Sequence, residues 1–151
     1  MRLEYVKAQE EDSLLLIQLY NKSFYDDFIR YGECPAYGRT EKQMQQSIKN
    51  IPKEIIFCDE TPVGVISVQN KGNSEYYLGC LCVVPEYQGK GIGTQAFKHM
   101  LHSHPDWRKI TLLTPVDKRE NVKFYTEKCG FNIGEVIMDG KVEVISFYME
   151  R

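Results

Sequence analysis

A glycine-rich segment stands where the sequence predicts that a strand ends and a helix begins. It runs from Gln88 to Thr94 with the sequence QGKGIGT, and Pro85 interrupts the apolar run before it. Backbone N–H groups in the first turn of a helix have no partner within the helix, and the helix dipole adds partial positive charge there. Glycines let that backbone approach a ligand without obstruction from Cβ atoms. The segment therefore predicts a cradle for a pyrophosphate group.

Two better-known phosphate-binding motifs fit this segment less well. The P-loop requires Gly-Lys-Ser/Thr, and here Lys90 is followed by Gly91. The dinucleotide motif GxGxxG fails when it is started at Gly89, because Thr94 stands where its last glycine would be. Started at Gly91, the motif is met only in the relaxed form that ends in Ala96, and it belongs to a parallel βαβ unit. A helix N-terminus with incidental glycines is the remaining alternative.

The elements that position this segment are strands and helices in an irregular order. Apolar runs and alternation predict seven strands, and Asp139-Gly140 is a strong hairpin signal between the last two. The order β-α-α-β-β-β-α-β-α-β-β predicts a mixed α/β (α+β) domain with an antiparallel run of strands, not a regular βαβ repeat. The strands are expected at residues 3–8, 54–58, 63–69, 75–84, 109–114, 131–138 and 141–149.

Four helices are predicted from apolar residues at helical spacing. Thr40 with Gln43 matches a capping box at the start of the second helix. Asp117 is expected to be the N-cap of the fourth helix, and Gly130 to follow its C-terminus. Residues 25–39 contain two glycines and a proline, and are expected to form a loop. The first, third and fourth helices are expected at residues 12–24, 91–103 and 118–129.

Length and composition suit one compact domain over residues 1–151. The chain has 151 residues, of which 42% are hydrophobic, and its net charge is −2. That charge argues against a general nucleic-acid binder, which usually has a basic face. No apolar stretch follows Met1, and none approaches the roughly eighteen residues of a membrane span. Neither a signal peptide nor a membrane partner is therefore expected.

The cysteines and histidines do not form a pattern typical of a metal site. The five cysteines include no CxxC pair, and reduced thiols in a cytoplasmic protein are the simplest interpretation. His99 and His102 are three residues apart on a predicted helix, but the nearby carboxylate, Asp106, follows the helix-breaking Pro105. Histidines near a helix C-terminus also interact favourably with its dipole. No metal cofactor is expected.

The segment from Phe24 to Glu33, FYDDFIRYGE, combines aromatic and acidic side chains. Such a segment can hold a cationic amine through charge and cation–π contacts. The alternative is the amphipathic end of the first helix, with its acidic side in solvent.

Two motifs resemble those of the GNAT acetyltransferases. The segment from Leu81 to Gly93, LCVVPEYQGKGIG, is similar to that family's strand and its Gln/Arg-x-x-Gly-x-Gly/Ala signature. The segment from Asn121 to Phe131, NVKFYTEKCGF, resembles the family's later helix, in which Phe-Tyr is followed by Gly-Phe. The order of elements also matches over nearly the whole chain. The resemblance implies the GNAT acyl-CoA N-acyltransferase fold, with a central, mostly antiparallel sheet of about seven strands and four helices.

The resemblance also implies acetyl-CoA as co-substrate, held largely by backbone groups. The N–H groups from Gly89 to Thr94 would bind the pyrophosphate of CoA, and the backbone from Leu81 to Val84 would pair with the pantetheine arm. The thioester would lie where the fourth and fifth strands splay apart after a bulge. The candidate cofactor-binding residues are Leu81, Cys82, Val83, Val84, Gln88, Gly89, Lys90, Gly91, Ile92, Gly93, Thr94, Asn121, Phe124 and Lys128.

The helix of the later motif has two possible interpretations: one face contacts the cofactor, or that face lies in solvent. Many family members place Asn seven residues before the Tyr of Phe-Tyr, and this chain has Lys118 there. Asn121, Tyr125 and Lys128 are spaced to share a helix face, which could contact the cofactor or lie in solvent.

Acyl transfer from a thioester to an amine requires a neutral amine, a donor for the oxyanion and a proton for the leaving thiolate. The resemblance implies that Tyr125 donates that proton, although most tyrosines have a packing role. The backbone N–H of Val83 or Val84 is a candidate oxyanion donor. Glu75 is a candidate catalytic base, and its alternatives are a solvated Glu without a role and deprotonation through water.

These features together predict an N-acetyltransferase that moves the acetyl group of acetyl-CoA to a primary amine of a small molecule, by direct transfer in a ternary complex. The alternatives are a protein lysine or N-terminal acetyltransferase and a non-catalytic domain that senses acyl-CoA. The composition of the chain does not distinguish between these three functions. The expected partners are the amine acceptor and a second copy in a homodimer.

Overall fold

The computed structural model describes residues 1–151 and contains seven strands in one sheet, in the order β1-β2-β3-β4-β5-β7-β6. Strands β4 and β5 pair in parallel, whereas β1–β2, β2–β3, β5–β7 and β6–β7 pair antiparallel. The mixed α/β class and the mostly antiparallel sheet are therefore as predicted. The strands are β1 Leu3–Lys7, β2 Lys53–Cys58, β3 Thr61–Gly72, β4 Glu75–Val83, β5 Lys109–Pro115, β6 Asn132–Asp139 and β7 Val142–Glu150.

Four helices accompany the sheet. None of them combines the length and the apolar character needed to cross a membrane. The helices are α1 Ser13–Tyr31, α2 Glu41–Asn50, α3 Ile92–Ser103 and α4 Arg119–Lys123, the last continued by a π-helical turn over Phe124–Lys128.

The chain divides into two compact units. The first unit contains Met1–Val68 and Cys80–Ala96. Its core forms where α1 and α2 pack together and strands β2 and β3 contribute apolar side chains from runs of consecutive buried residues. The buried side chains of this core include Leu16, Leu19, Tyr20, Met44, Ile48, Ile56, Val63 and Val65.

The second unit contains Gln69–Gly79 and Phe97–Arg151. Strand β7 is hydrogen-bonded to β5 on one side and to β6 on the other. The core of the second unit is rich in aromatic residues, and its buried side chains include Phe97, Trp107, Ile110, Leu112, Phe131 and Phe147.

The first helix is longer than its sequence predicts. It continues to Tyr31 and ends at Gly32, whose φ of 73° is in the left-handed region. The expectation of a loop from residue 25 is therefore wrong for residues 25–31. No glycine or proline occurs before Gly32 to stop the helix, so the stop signal lies at Gly32 itself. The segment with aromatic and acidic residues thus lies mostly on the C-terminal end of α1.

The predicted helix caps have mixed outcomes. The capping box of Thr40 and Gln43 is confirmed, with Gln43 N–H to Thr40 Oγ1 at 3.1 Å and Thr40 N–H to Gln43 Oε1 at 2.9 Å. The N-cap of α4 is Lys118 without a side-chain cap, so the expectation for Asp117 is wrong. Gly130 follows the last turn with a φ of 83°, as predicted.

Strands β3 and β4 approach closely at Gly64. A Cβ atom added to Gly64 would overlap the carbonyl oxygen of Cys82 and come within 3.3 Å of the Cα of Val83. Both neighbours are backbone atoms, which cannot rotate away as a side chain could. Glycine is therefore required here because of the backbone approach, in a strand where it is otherwise unfavourable.

We expect Gly64→Ala to lower the free energy of unfolding by about 1–3 kcal/mol, because overpacked sites of this kind must shift backbone to accept a methyl group. Denaturant unfolding followed by circular dichroism measures the change. Gln69→Ala, at an exposed position of the same strand, is the matched control and should change stability by less than about 0.5 kcal/mol. Equal stability of the two variants would contradict the close approach.

Candidate functional site

The glycine-rich segment leads into the N-terminus of α3 in the first unit. The chain leaves β4 at Val84 and turns through a single 3₁₀ turn, Pro85–Tyr87. The Nε2 of Gln88 then donates to the carbonyl of Val83 at 2.9 Å, which closes the turn. Ile92 begins the helix with its side chain 1% exposed, so the helix start is anchored in the core while the loop before it is exposed.

The glycines of this loop have the backbone conformation that favours glycine. Gly89 has a φ of 79° and Gly91 a φ of 82°. A Cβ atom added at either residue would meet no atom within 4 Å. The space beside both glycines is therefore open to a ligand.

Six consecutive backbone N–H groups, those of Gly89–Thr94, donate no hydrogen bond within the protein. The N–H before them, of Gln88, bonds to Pro85 O at 3.2 Å, and the N–H after them, of Gln95, bonds to Gly91 O at 3.1 Å. Donors of this kind at a helix start, with the positive end of the helix dipole, favour an anionic ligand. The backbone geometry therefore fits the predicted pyrophosphate cradle.

The end of β4 has one hydrogen-bonded edge in this unit. The N–H of Val84 donates to Val63 O at 2.8 Å. The expectation that Val84 could supply the oxyanion donor is therefore wrong, because its N–H is already used. Successive residues of an antiparallel strand direct their N–H groups alternately toward and away from the partner. In a regular strand this alternation would direct the N–H groups of Val83 and Leu81 away from β3.

In the second unit, β4 and β5 pair only briefly. The parallel register covers Glu75–Tyr77 with Lys109–Thr111 and stops there, whereas β5 continues to Pro115 against β7. The pairing of these two strands therefore ends at Tyr77 and Thr111.

The later motif forms α4 and its π-helical turn in the same unit. The N–H of Cys129 bonds to Phe124 O at 3.2 Å, which is the five-residue spacing of a π-helix. Asn121 lies in α4 and its Nδ2 donates to Oγ1 of Thr114 on β5 at 3.2 Å. This bond ties the helix to the strand, so Asn121 has a positioning contact of its own.

Tyr125 is buried within an aromatic cluster. Its ring centroid lies 5.9 Å from that of Phe131, 6.1 Å from that of Phe147 and 5.0 Å from that of Phe124. The side chain is 8% exposed. The ring therefore has a packing role, whatever its hydroxyl does. Lys128, in the same turn, is exposed, so the π-helical turn does not keep these two residues in the common environment that regular helical spacing predicts.

The remaining candidates occupy ordinary structural positions. Glu75 is half-buried at the first residue of β4, opposite Lys109 of β5. His102 and His104 each place Nδ1 2.9 Å from a backbone carbonyl, of Lys98 and Met100 respectively. No group of three or more His, Cys, Asp or Glu side chains is arranged to hold a metal ion.

The C-terminal end of α1 carries an exposed aromatic group. The ring of Phe28 stacks on that of Tyr37 at 4.5 Å, and Tyr25 lies 6.1 Å from Tyr37. Tyr37 follows the helix, so the segment between α1 and α2 folds back on the helix end. Sequence spacing did not indicate this contact.

Sequence reasoning also missed two residues beside the predicted site. Thr114, 2% exposed, accepts the hydrogen bond of Asn121, and Gly64 permits the close approach to β4. The pair Thr114–Asn121 joins residues of different elements, which no local pattern can indicate. An isolated glycine inside a predicted strand indicates a close backbone approach, and Gly64 is such a glycine.

Comparisons with solved structures agree on the fold. An acetyltransferase from Thermus thermophilus superposes with a TM-score of 0.80 at 16% identity, over 100% of this chain and 98% of the other. The PaiA N-acetyltransferase from Thermoplasma acidophilum, solved in complex with coenzyme A, has a TM-score of 0.74 at 19% identity, over 97% and 98% of the two chains. At these identities the likeness shows the fold alone.

A relative at higher identity is the uncharacterised protein YrkN of Bacillus subtilis (strain 168). It is 32% identical over 109 residues, an alignment that covers 70% of this chain and 59% of YrkN. The chain thus spans less than two thirds of that relative's length. The family model for GNAT acetyltransferases matches residues 16–131, which contain both the glycine-rich segment and the later helix. The chain therefore belongs to the GNAT acetyltransferase family.

Proposed function

We propose that this protein is an N-acetyltransferase that moves the acetyl group of acetyl-CoA to a primary amine of a small molecule, by direct transfer in a ternary complex. Acetyl transfer from acetyl-CoA is the general activity of its family. The observation that carries the proposal is the run of six N–H groups over Gly89–Thr94 without an internal acceptor. These donors, at the positive end of the helix dipole, are complementary to the negatively charged oxygens of a pyrophosphate.

The exposed cradle requires no rearrangement before it binds. Gly89, Lys90 and Gly91 are exposed in the free protein, so their unpaired N–H groups carry little burial penalty before a ligand binds. The 3₁₀ turn and the side-chain bond from Gln88 to Val83 O hold the loop in place. Preorganised donors of this kind lose little conformational entropy on binding, which favours affinity.

The free edge of β4 supports the second part of the proposal. We propose that the N–H groups of Leu81 and Val83 point away from β3, as regular strand alternation predicts, and pair with the amide groups of the pantetheine arm. The N–H of Val83 is then the remaining candidate for the oxyanion donor. A backbone donor held by a paired strand needs no reorganisation during the reaction, which is the condition for strong oxyanion stabilisation.

Two proton transfers complete the reaction. The acceptor ammonium loses a proton to become nucleophilic, to water or to the carboxylate of Glu75. The leaving thiolate gains a proton, for which we propose the hydroxyl of Tyr125. The π-helical turn that contains Tyr125 supports this role, because single π-turns inside helices are frequent at functional sites.

A screen of acceptors tests the proposed function directly. We expect release of the CoA thiol when acetyl-CoA is mixed with the correct amine among polyamines, amino acids, aminosugars and aminoglycosides. A colorimetric thiol assay measures it, and peptides are included in the screen. Turnover on peptides alone would replace the small-molecule acceptor by a protein. Tight CoA binding with no turnover on any class would favour an acyl-CoA sensor.

We expect Gly91→Asp to weaken acetyl-CoA binding at least about tenfold, which is about 1.4 kcal/mol, because it brings a carboxylate beside the pyrophosphate. Titration calorimetry measures the affinity, and thermal unfolding checks the fold. Gly91→Asn is the matched control, since Asn has the same shape and tolerates a positive φ as well as Asp does. Equal affinities of the Asp and Asn variants would show that no anion binds at this loop.

We expect Tyr125→Phe to lower turnover by about 10²–10⁴-fold while acetyl-CoA affinity stays nearly constant, because a general acid acts mainly in the transition state. The Phe ring preserves the aromatic contacts of Tyr125. Tyr76→Phe is the control, because it removes a hydroxyl that bonds to Asp106 at 2.8 Å. Near-normal turnover of Tyr125→Phe on a confirmed acceptor would restrict Tyr125 to its packing role.

A further inference from the structure

Strand β6 of the second unit carries apolar side chains that lie in solvent. No residue of β6 is buried. On the neighbouring β7, Ile145 lies opposite Val136 and is only 8% exposed. Val144, opposite Ile137, is 4% exposed. The apolar surface of β6 is therefore not part of the core of this unit. Four of its eight residues are large apolar residues that are at least 42% exposed, namely Ile133, Val136, Ile137 and Met138.

The same strand is an edge of the sheet. It stands last in the strand order and is paired with β7 alone. That side is closely packed, because a Cβ atom added to Gly134 would lie 2.8 Å from the carbonyl oxygen of Ser146 on β7. Counted from the two-residue turn at 140–141, a regular ladder would direct the N–H and C=O groups of Val136 and Met138 to the free edge. Such an edge is a template for a further strand.

The other strand at an edge of the sheet, β1, has a different character. It carries Glu4 and Lys7, and the Nη2 of Arg2 forms an ion pair with Glu4 at 3.0 Å. Charged side chains, lysine above all, are a means by which natural edge strands avoid pairing. Strand β6 contains no lysine or proline, and its two charges, Glu135 and Asp139, stand on either side of its central apolar run. The unprotected edge is therefore that of β6.

The exposure of both faces of β6 restricts the kind of partner. Successive side chains of a strand lie on opposite faces, so Val136 and Met138 share one face and Ile137 lies on the other. A partner that rests on one face would leave the other face in water. A strand added at the edge places its own side chains beside both faces at once. The partner that fits is therefore an unpaired strand with apolar side chains on both faces.

Strand β6 of a second copy has these properties. We propose that two copies of this chain associate through their β6 strands, paired antiparallel about a two-fold axis at Ile137, into one continuous sheet. Val136 of each copy then lies opposite Met138 of the other. A two-fold contact of this kind uses the same surface on both copies and closes at the dimer. Pairing of β6 with β1 of another copy would be head-to-tail and would leave further edges open.

The pairing is independent of acetyl transfer, and it is small. A single pair of strands is a small interface beside the roughly 1,200 Å² that stable complexes bury at the least. Glu135 of one copy would also lie opposite Asp139 of the other, and like charges in that position are unfavourable. We therefore expect a reversible dimer with a Kd of roughly 1–100 µM.

Sedimentation velocity of the full chain, between roughly 5 and 500 µM, tests the association through its dependence on concentration. We expect the mass to change from that of one chain to that of two across this range. A monomer at every concentration would overturn the proposal and leave the edge to a strand of another protein. Growth beyond two chains would overturn the closed, two-fold pairing.

Two substitutions that introduce the same residue at neighbouring exposed positions test the place and register of the pairing. Val136→Lys puts a lysine into the apolar run and should raise the Kd at least about tenfold. Glu135→Lys puts the lysine opposite Asp139 of the other copy and should lower the Kd. Circular dichroism checks that both variants are folded. An unchanged Kd of Val136→Lys would place any dimer contact elsewhere, and equal effects of the two variants would rule out this register.

A cross-link provides a second test that does not depend on the lysine variants. At the axis, the two Ile137 Cα atoms would be about 4.5 Å apart, within the range of a disulfide. We expect oxidation of Ile137→Cys by copper phenanthroline to give a covalent dimer on a non-reducing gel. Asn132→Cys is the control, because residue 132 is exposed at the far end of β6 and both variants keep the five native cysteines. Equal yields of dimer from the two variants would contradict the two-fold axis at Ile137.

Discussion

The last residues of β4 pair with one neighbouring strand, β3, and their other edge has no strand partner. The bond from Val84 N–H to Val63 O, and the missing side chain at Gly64, bring this part of β4 tightly against β3. Because the strand period is two, a regular continuation of that pairing would direct the N–H groups of Leu81 and Val83 the other way. The same pairing fixes the point at which the chain leaves the sheet and begins the loop to α3. The cradle and the free edge thus depend on one strand contact.

The loop after β4 provides the backbone donors of the proposed binding surface. Gly89 and Gly91 have positive φ values that other residues adopt only with strain. They let the chain turn from the 3₁₀ segment Pro85–Tyr87 into α3, whose first N–H groups are unpaired. The helix is held from the opposite side by the buried Ile92. A site made of backbone donors tolerates changes of exposed side chains, which is why its signature in the sequence is mainly glycine.

The buried polar groups have different kinds of partner in the two units. In the second unit, Tyr125 is surrounded by aromatic rings, and Asn121 is paired with Thr114 across the helix and the strand. In the first unit, the buried Lys53 donates from Nζ to Ser67 Oγ at 3.1 Å, across the pairing of β2 with β3.

Local patterns in the sequence determined much of this protein. Alternation and helical spacing predicted the seven strands within a few residues and the existence of the four helices. The Thr40–Gln43 box and the turn at Gly140 were readable because each is a contact between near neighbours in the chain. The glycine-rich segment was readable for the same reason, and its resemblance to the GNAT signature gave the family. What local patterns could not show were the contacts made by residues distant in sequence. Helix α1 continued past its expected end because its stop signal, Gly32, came later than the composition suggested, and the π-turn at Phe124 replaced regular helical spacing. The use of Val84 N–H by Val63, the Asn121–Thr114 bond and the Lys53–Ser67 bond were decided only when the strands and helices packed, because each joins groups from separate elements whose register no single segment encodes.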